Sequence, residues 1–447
     1  MNTPIYDFAN EYAGSGTERF HMPGHKGKGP LGIEGLDITE ITESDNLYDP
    51  TGIIKASEEN ASLLFGSERT VYSTEGSSQC IKAMLYLTYI YGLSRTKKPL
   101  ILAARNVHSS FIAGAALTGI DVEWLEPSID FDGGICSYPV KASGVKEKIS
   151  KYGSDVIAVY LTCPDYLGGV QDIMGIAKVC HEAGVLLLVD NAHGAYFKFL
   201  NHERYPEFEH PLDLGADMCC DSAHKTLPAL TGSAYLHFGK NCPENVVNRA
   251  KEAMQLFGST SPSYLIMESL DLCNKYISDG YKEKLDDFLY RVDKLKEKLT
   301  RMGINVCKSD PLRLTIKISG SDFPKRLRNC GGEFEFADKD YMVLLLSPES
   351  GENFEYVILK ACEGIKTSAT SANHKFTGYS KVMTIREAVF SEAEKMPVSK
   401  ALNRISAETS LHCPPAIPIV MPGERIGAEE IALLKQYGYE TIKCVKG

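Results

Sequence analysis

Residues 221–230, DSAHKTLPAL, set a serine, a histidine and a lysine in the spacing S-x-H-K ahead of a proline. Pro228 follows Lys225 by three residues, so Lys225 cannot lie inside a long helix. The spacing predicts a turn just after the strand-like DMCCDS, the kind of place where α/β enzymes keep reactive groups. Three other segments fall at predicted element ends. STEGSSQC, residues 73–80, sets Gly76, Ser77 and Ser78 before a helical pattern. Free N–H groups and the helix dipole attract an anion there, although the same letters suit an ordinary helix cap. ARNVHSS sets His108 behind the strand-like PLILAARN, where its ring can stack on a planar group or hold its own loop. VLLLVDNAHGAY ends a buried apolar run in Asp190, with His193 three residues on. A carboxylate at such a point needs a positive or proton-donating partner, which an internal ion pair or a bound ring N–H would supply.

Ser222 and His224 flank Lys225, in a position to hold a phosphate. A loop lysine, a buried acid, a ring-stacking histidine and an anion cradle are the groups that pyridoxal phosphate requires. The aldehyde needs an amine, the pyridine nitrogen an acid, and the phosphate a set of donors. Metal chemistry is not expected. HMPGH spaces His21 and His25 by four, but Pro23 and Gly24 forbid the helix of a zinc H-E-x-x-H site. No cysteine–histidine cluster has zinc spacing, and no G-x-x-x-x-G-K-[ST] loop occurs.

The elements that must position these groups alternate. PLILAARN, DVIAVYLT, VLLLVD, DMCCDS and SAYLHF read as strands; SSQCIKAMLYLTYIYGL and DIMGIAKVCHEAG read as helices between them. That alternation predicts an α/β fold with a mainly parallel central sheet and helices on both faces. GYKEKLDDFLYRVDKLKEKLTRMG predicts a long amphipathic helix leaving it. LRLTIKI, YMVLLLS and FEYVILKAC predict a smaller α+β C-terminal region, and AEEIALLKQYGYE a final helix. The expected division is an N-terminal arm over 1–50 with little periodicity, a large domain over 51–285 and a small domain over 286–447. At 447 residues the chain is too long for one core. A net charge of −10 argues against a nucleic-acid partner. Thirteen cysteines without framework spacing read as reduced thiols, hence a cytoplasmic protein. No signal-peptide pattern opens the chain, and no apolar run approaches a membrane span.

FHMPGHK, ARNVHSS, DNAHGAYF, SAHKTLPALTG, STSPSYLIMESLD and PPAIPIVMPGERI occur in the order seen in the Orn/Lys/Arg decarboxylase family, which this chain resembles over nearly its whole length. The resemblance is to the short bacterial form, without an N-terminal wing domain. It implies the aspartate aminotransferase-like fold type I of pyridoxal-phosphate enzymes. It implies that Lys225 binds the coenzyme covalently, that Asp190 pairs with the pyridine nitrogen, and that His108 stacks on the ring. Gly76, Ser77, Ser78, Ser222 and His224 would hold the phosphate, and His193 would lie near the phenolic oxygen or the substrate carboxylate. Residues 259–264, including Ser259 and Thr260, would reach the coenzyme from the neighbouring subunit of a homodimer; they also suit a polar turn capping a helix near Tyr264.

The implied reaction is decarboxylation of arginine, lysine or ornithine to a polyamine-type amine, with arginine or lysine ahead of ornithine. Transamination or elimination on the same coenzyme, or a silent scaffold, are the alternatives. Glu408 is the carboxylate offered for the substrate's distal cation. Two positions depart from the family pattern: Asn191 stands where D-E-A-H is common, and Gly232 where A-L-T-Q is common.

Overall fold

The strand-like runs form β2 (Leu100–Ala103), β4 (Val156–Thr162), β5 (Leu186–Asp190), β6 (Met218–Asp221) and β7 (Ala234–Phe238). Two strands with weaker apolar signals join them, β1 (Arg69–Ser73) and β3 (Asp121–Trp124). The computed structural model describes residues 1–128, 135–318, 322–365, 380–409 and 416–447. Its chain divides into two units, Met1–Ser94 with Ile173–Leu285 and Arg95–Asp172 with Asp286–Gly447.

In the first unit the strands run in the order β1, β7, β6, β5. β5 and β6 are parallel, with Asp190 opposite Cys220, while β7 is antiparallel to both β6 and β1. Every residue of β5, β6 and β7 is buried. Strands covered on both faces read as continuous apolar runs rather than as an alternation, which is why these three were visible in the sequence. Helix α3 (Ser77–Leu93) is apolar around most of its circumference and buries Cys80, Ile81, Met84 and Leu87. Helix α2 (Ile53–Phe65) ends on Gly66 in the left-handed region.

The N-terminal stretch departs from the expectation of little periodicity, because Pro4–Gly14 forms helix α1. Pro4 stands in its first turn, and Ile5 and Ala9, four apart, are buried. The Asp271 carboxylate accepts from the N–H groups of Ile5 at 2.8 Å and Tyr6 at 3.1 Å, satisfying two donors that the first helical turn leaves over.

In the second unit β4, β2 and β3 form a parallel run, with helices α4 (Ser109–Thr118) and α5 (Ala142–Tyr152) following β2 and β3. β8 (Arg313–Lys317), β9 (Phe336–Ala337) and β10 (Tyr341–Leu345) make a separate antiparallel sheet, and the segment FEYVILKAC is helical over Phe354–Cys362. The predicted last helix spans Ala428–Gln436 but is not the final element. β12 (Thr441–Val445) follows it and pairs antiparallel with β11 (Ala393–Pro397). The long amphipathic segment is helical over Lys282–Arg301.

Among the described residues the cysteines are free thiols, most of them buried, and no helix is long and apolar enough to cross a membrane.

Candidate active site

β6 ends at Asp221, and the chain turns through Ser222 into a single helical turn, Ala223–Thr226, that carries Lys225. Pro228 lies just beyond it, and no longer helix forms. Lys225 is partly exposed, with its Nζ 3.1 Å from Nε2 of His193. His193 comes from the turn after β5, closed by the Gly194 N–H donating to the Asn191 carbonyl at 2.8 Å. Because β5 and β6 are parallel and in register, both turns leave the sheet at the same carboxyl edge, where open α/β sheets bind ligands. Asp190, at the end of β5, is 4% exposed. Its Oδ1 accepts from the Ala192 N–H at 3.1 Å and from the Cys220 thiol at 3.6 Å.

Gly76 precedes α3 with φ at +71°, a conformation that only glycine adopts readily. Its N–H donates to the Gly232 carbonyl at 2.7 Å, and a Cβ added there would stand 3.9 Å from Cε1 of His224. The start of α3, with Ser77 and Ser78 in its first turn, therefore faces the lysine loop. His224 Nδ1 donates to the Ser233 carbonyl at 2.9 Å, which leaves Nε2 for another partner. Burial lowers the His224 pKa; the Ser233 carbonyl opposes that shift, and the Lys225 charge adds to it.

Three hydroxyls around this loop, Ser222 Oγ, Thr226 Oγ1 and Ser233 Oγ, are buried without a hydrogen-bond partner. A buried polar group left so costs about 1–3 kcal/mol. With the start of α3 and His224, these hydroxyls make a donor set suited to a phosphate, and Lys225 and Asp190 add an amine and an acid. The residues present thus fit pyridoxal phosphate. Thr226 and Ser233 were not singled out in the sequence. The only local signal was their closeness to the lysine motif, and their lack of partners is a property of the folded chain.

Lys225, Asp190, His193, Gly76, Ser77, Ser78, Ser222 and His224 all belong to the first unit. Ser259 and Thr260 belong to it too and are exposed; the Ser259 N–H donates to Glu75 Oε1 at 2.5 Å, shortly before the helix Tyr264–Tyr276. His108 belongs to the second unit and caps α4, its Nδ1 accepting from the Ser110 N–H at 3.1 Å. Glu408 is also in the second unit, and its Oε2 accepts from the Lys443 N–H at 3.2 Å. The two histidines of HMPGH take separate partners: His21 Nε2 lies 2.6 Å from the Tyr12 hydroxyl, and His25 Nε2 lies 3.0 Å from Asp37 Oδ2.

The two departures have structural reasons. Gly232 has φ at +99°, and a Cβ there would stand 3.0 Å from the Thr74 carbonyl oxygen and 3.1 Å from Ile266 Cδ1. Asn191 is fully buried, and its Nδ2 donates to Asp221 Oδ1 at 2.6 Å.

A family profile described as "Orn/Lys/Arg decarboxylase, major domain" matches residues 3–313, and its companion for the C-terminal domain matches residues 369–438. The chain is 31% identical to the Bacillus subtilis "Uncharacterized protein YaaO", covering 98% of this chain and 94% of that one. It is 27% identical to the arginine decarboxylase of the same organism, over 97% and 93% of the two chains. Among solved structures, the lysine decarboxylase LdcF of Francisella novicida superposes with a TM-score of 0.80 at 18% identity, covering 99% of this chain and 81% of the other. A NifS-like protein shares the fold more distantly, with a TM-score of 0.54 at 14% identity over 72% and 91% of the two chains.

Proposed function

The chain belongs to the Orn/Lys/Arg decarboxylase family, and from that premise we propose which of its residues carry the reaction and on which substrate. It is a pyridoxal-phosphate-dependent decarboxylase of basic amino acids with the type I fold. When bound, the coenzyme supplies a cationic ring that accepts the electron pair left as the bond from Cα to the carboxylate breaks.

Lys225 supplies the amine that holds the coenzyme aldehyde. Asp190 keeps a proton on the pyridine nitrogen; its burial strengthens that attraction, because little water competes. His193 accepts a hydrogen bond from the Lys225 amine and orients it. Ser222, His224 and the start of α3, with Gly76, Ser77 and Ser78, bind the phosphate. His108 stacks on the ring. Ser259 and Thr260 complete the site of a second copy in a homodimer, a reading supported by their exposure. The preferred substrate is arginine or lysine, the enzyme acts in the cytoplasm, and its product is a polyamine-type amine. The proposed division is an N-terminal arm over 1–50, a large coenzyme-binding domain over 51–285 and a small domain over 286–447, and the long helix Lys282–Arg301 that starts near the second boundary supports it. Glu408 is a weak choice for the distal cation, since its carboxylate already serves the backbone of β12.

The observation that carries this reading is the 3.1 Å approach of the Lys225 amine to His193 beside three unpartnered buried hydroxyls. Protein incubated with pyridoxal phosphate should gain a visible absorption band that Lys225→Ala abolishes. It should release labelled carbon dioxide from carboxyl-labelled arginine, lysine or ornithine. A colourless protein, or amine exchange without carbon dioxide, would overturn it.

A further inference from the structure

Asp190 and Lys225 have buried polar neighbours, Asn191 and Asp221, that touch each other. Asn191 directly follows Asp190 and is fully buried. Its N–H donates to the Cys220 carbonyl at 3.0 Å, extending the contact between β5 and β6 by one residue, and its side-chain Nδ2 donates to Asp221 Oδ1 at 2.6 Å. Asp221 stands four residues before Lys225 and is also fully buried. The other oxygen of that carboxylate accepts from two imidazoles, His210 Nε2 at 2.9 Å and His237 Nε2 at 3.2 Å. His237 Nδ1 in turn lies 2.7 Å from the Thr70 hydroxyl on β1. Both Asp221 oxygens are therefore spent on donors.

The charge on Asp221 decides what residue 191 can be. Burial pushes the Asp221 pKa up, but the attraction and hydrogen bonds of His210 and His237 outweigh it and hold the carboxyl well below its usual range. Burial pushes the His237 pKa down against the pull of Asp221, and its Nδ1 meets the Thr70 hydroxyl. An ionised carboxylate accepts hydrogen bonds and gives none, so the group facing Oδ1 must be a donor. Asn191 meets that need. The glutamate common in D-E-A-H would set a second negative charge against the first in a fully buried site, where like charges repel strongly.

We propose that Asn191 is a positioning residue for the decarboxylation: its amide fastens the turn that leads from Asp190 to His193 onto the end of β6, four residues before Lys225, and it does so because Asp221 behind it is a carboxylate. The clamp sets where the Lys225 amine lies relative to His193 and Asp190. Asn191 and Asp221 thus form a matched pair, in which each residue type is required by the other.

This inference rests on the functional reading above, and the experiment separates the two. Asn191→Asp, Asn191→Ala, Asp221→Asn and the double exchange Asn191→Asp with Asp221→Asn are compared with the unaltered enzyme, each loaded with pyridoxal phosphate. Asn191→Asp should lower kcat roughly 100-fold, the scale of a misplaced reacting group, while KM moves far less. Its visible coenzyme band should weaken or shift. The double exchange restores one amide facing one carboxylate, with the Asn side-chain oxygen at 221 still accepting from His210 and His237. It should recover at least tenfold of the lost kcat and the original band. If Asn191→Asp fails to fold, Asn191→Ala, which adds no charge, decides by the same two readouts. Variants with kcat and spectrum within twofold of the unaltered enzyme, or a double exchange no better than Asn191→Asp alone, would overturn the pairing. An unaltered enzyme without the band or without carbon dioxide release would instead overturn the functional reading.

Discussion

The Lys225 amine meets the Nε2 of His193 at 3.1 Å, across two turns whose lysine and histidine lie 32 residues apart in sequence. An ammonium has donors and no lone pair, so whenever Lys225 is charged Nε2 must accept, and the His193 proton sits on Nδ1. His193 is thereby the acceptor that faces the charged amine. His193→Phe keeps an aromatic ring but removes the acceptor. Its kcat should fall on the order of 100-fold with the coenzyme still bound, measured as carbon dioxide release under saturating substrate.

Gly232 marks a second expected outcome. Gly232→Gln restores the letter common in relatives, yet it forces a side chain onto a backbone at φ +99° and a Cβ to 3.0 Å from the Thr74 oxygen. Left-handed backbone alone costs about 1–2 kcal/mol for a residue with a Cβ. The variant should therefore be less stable by at least that amount in denaturant unfolding. It should also bind pyridoxal phosphate more weakly, because the Gly232 carbonyl holds the Gly76 N–H at the start of α3.

Glu268, on the helix Tyr264–Tyr276, is 3% exposed and its Oε1 has no hydrogen-bond partner. Burial first, then the charges of Asp37 and Asp271, push its pKa up to about 8. The folded chain therefore holds a proton that the unfolded chain releases at the ordinary carboxylate pKa. The associated stability is complete below that ordinary value and is lost as pH rises to about 8. Glu268→Gln removes this dependence. Its unfolding free energy, measured by denaturant titration, should match that of the unaltered protein near about pH 5 and exceed it near about pH 9, by on the order of a few kcal/mol.

In the second unit Arg105 and Glu424 form a two-pronged ion pair with both side chains 4% exposed, the Nη2 to Oε2 arm measuring 2.9 Å. Glu424 also accepts from the Met421 N–H at 2.9 Å, so it ties the MPGERI turn to the end of β2. Removing one partner leaves a buried charge unpaired, at a cost of about 3–5 kcal/mol. Glu424→Leu should show that loss in chemical denaturation. Arg105→Met with Glu424→Leu, which removes both charges, should recover most of it.

Much of the candidate site was legible because its chemistry is local. Pro228 limits Lys225 to a short turn whatever the rest of the chain does, and the unbroken apolar run ending in Asp190 marks a covered strand with an acid at its tip. The helix over Pro4–Gly14 was less legible, because its buried face is only one narrow stripe and its first N–H groups are satisfied by Asp271, some 265 residues away. The Lys443 N–H that reaches Glu408 from β12 was likewise not legible, because the two residues lie 35 positions apart.

By itself the sequence determined the reactive residue types, the turns that carry them and the covered strands between, since torsional limits and apolar patterning act within a few residues. Only the tertiary structure decided which groups face one another. The β5–β6 register sets Asp190 opposite Cys220 and brings Asn191 against Asp221, while the folded lysine loop leaves the hydroxyls of Ser222, Thr226 and Ser233 without partners. The physical reason is that pairing across a sheet is fixed by how all its strands pack together, and no single strand carries its partner's position in its own letters.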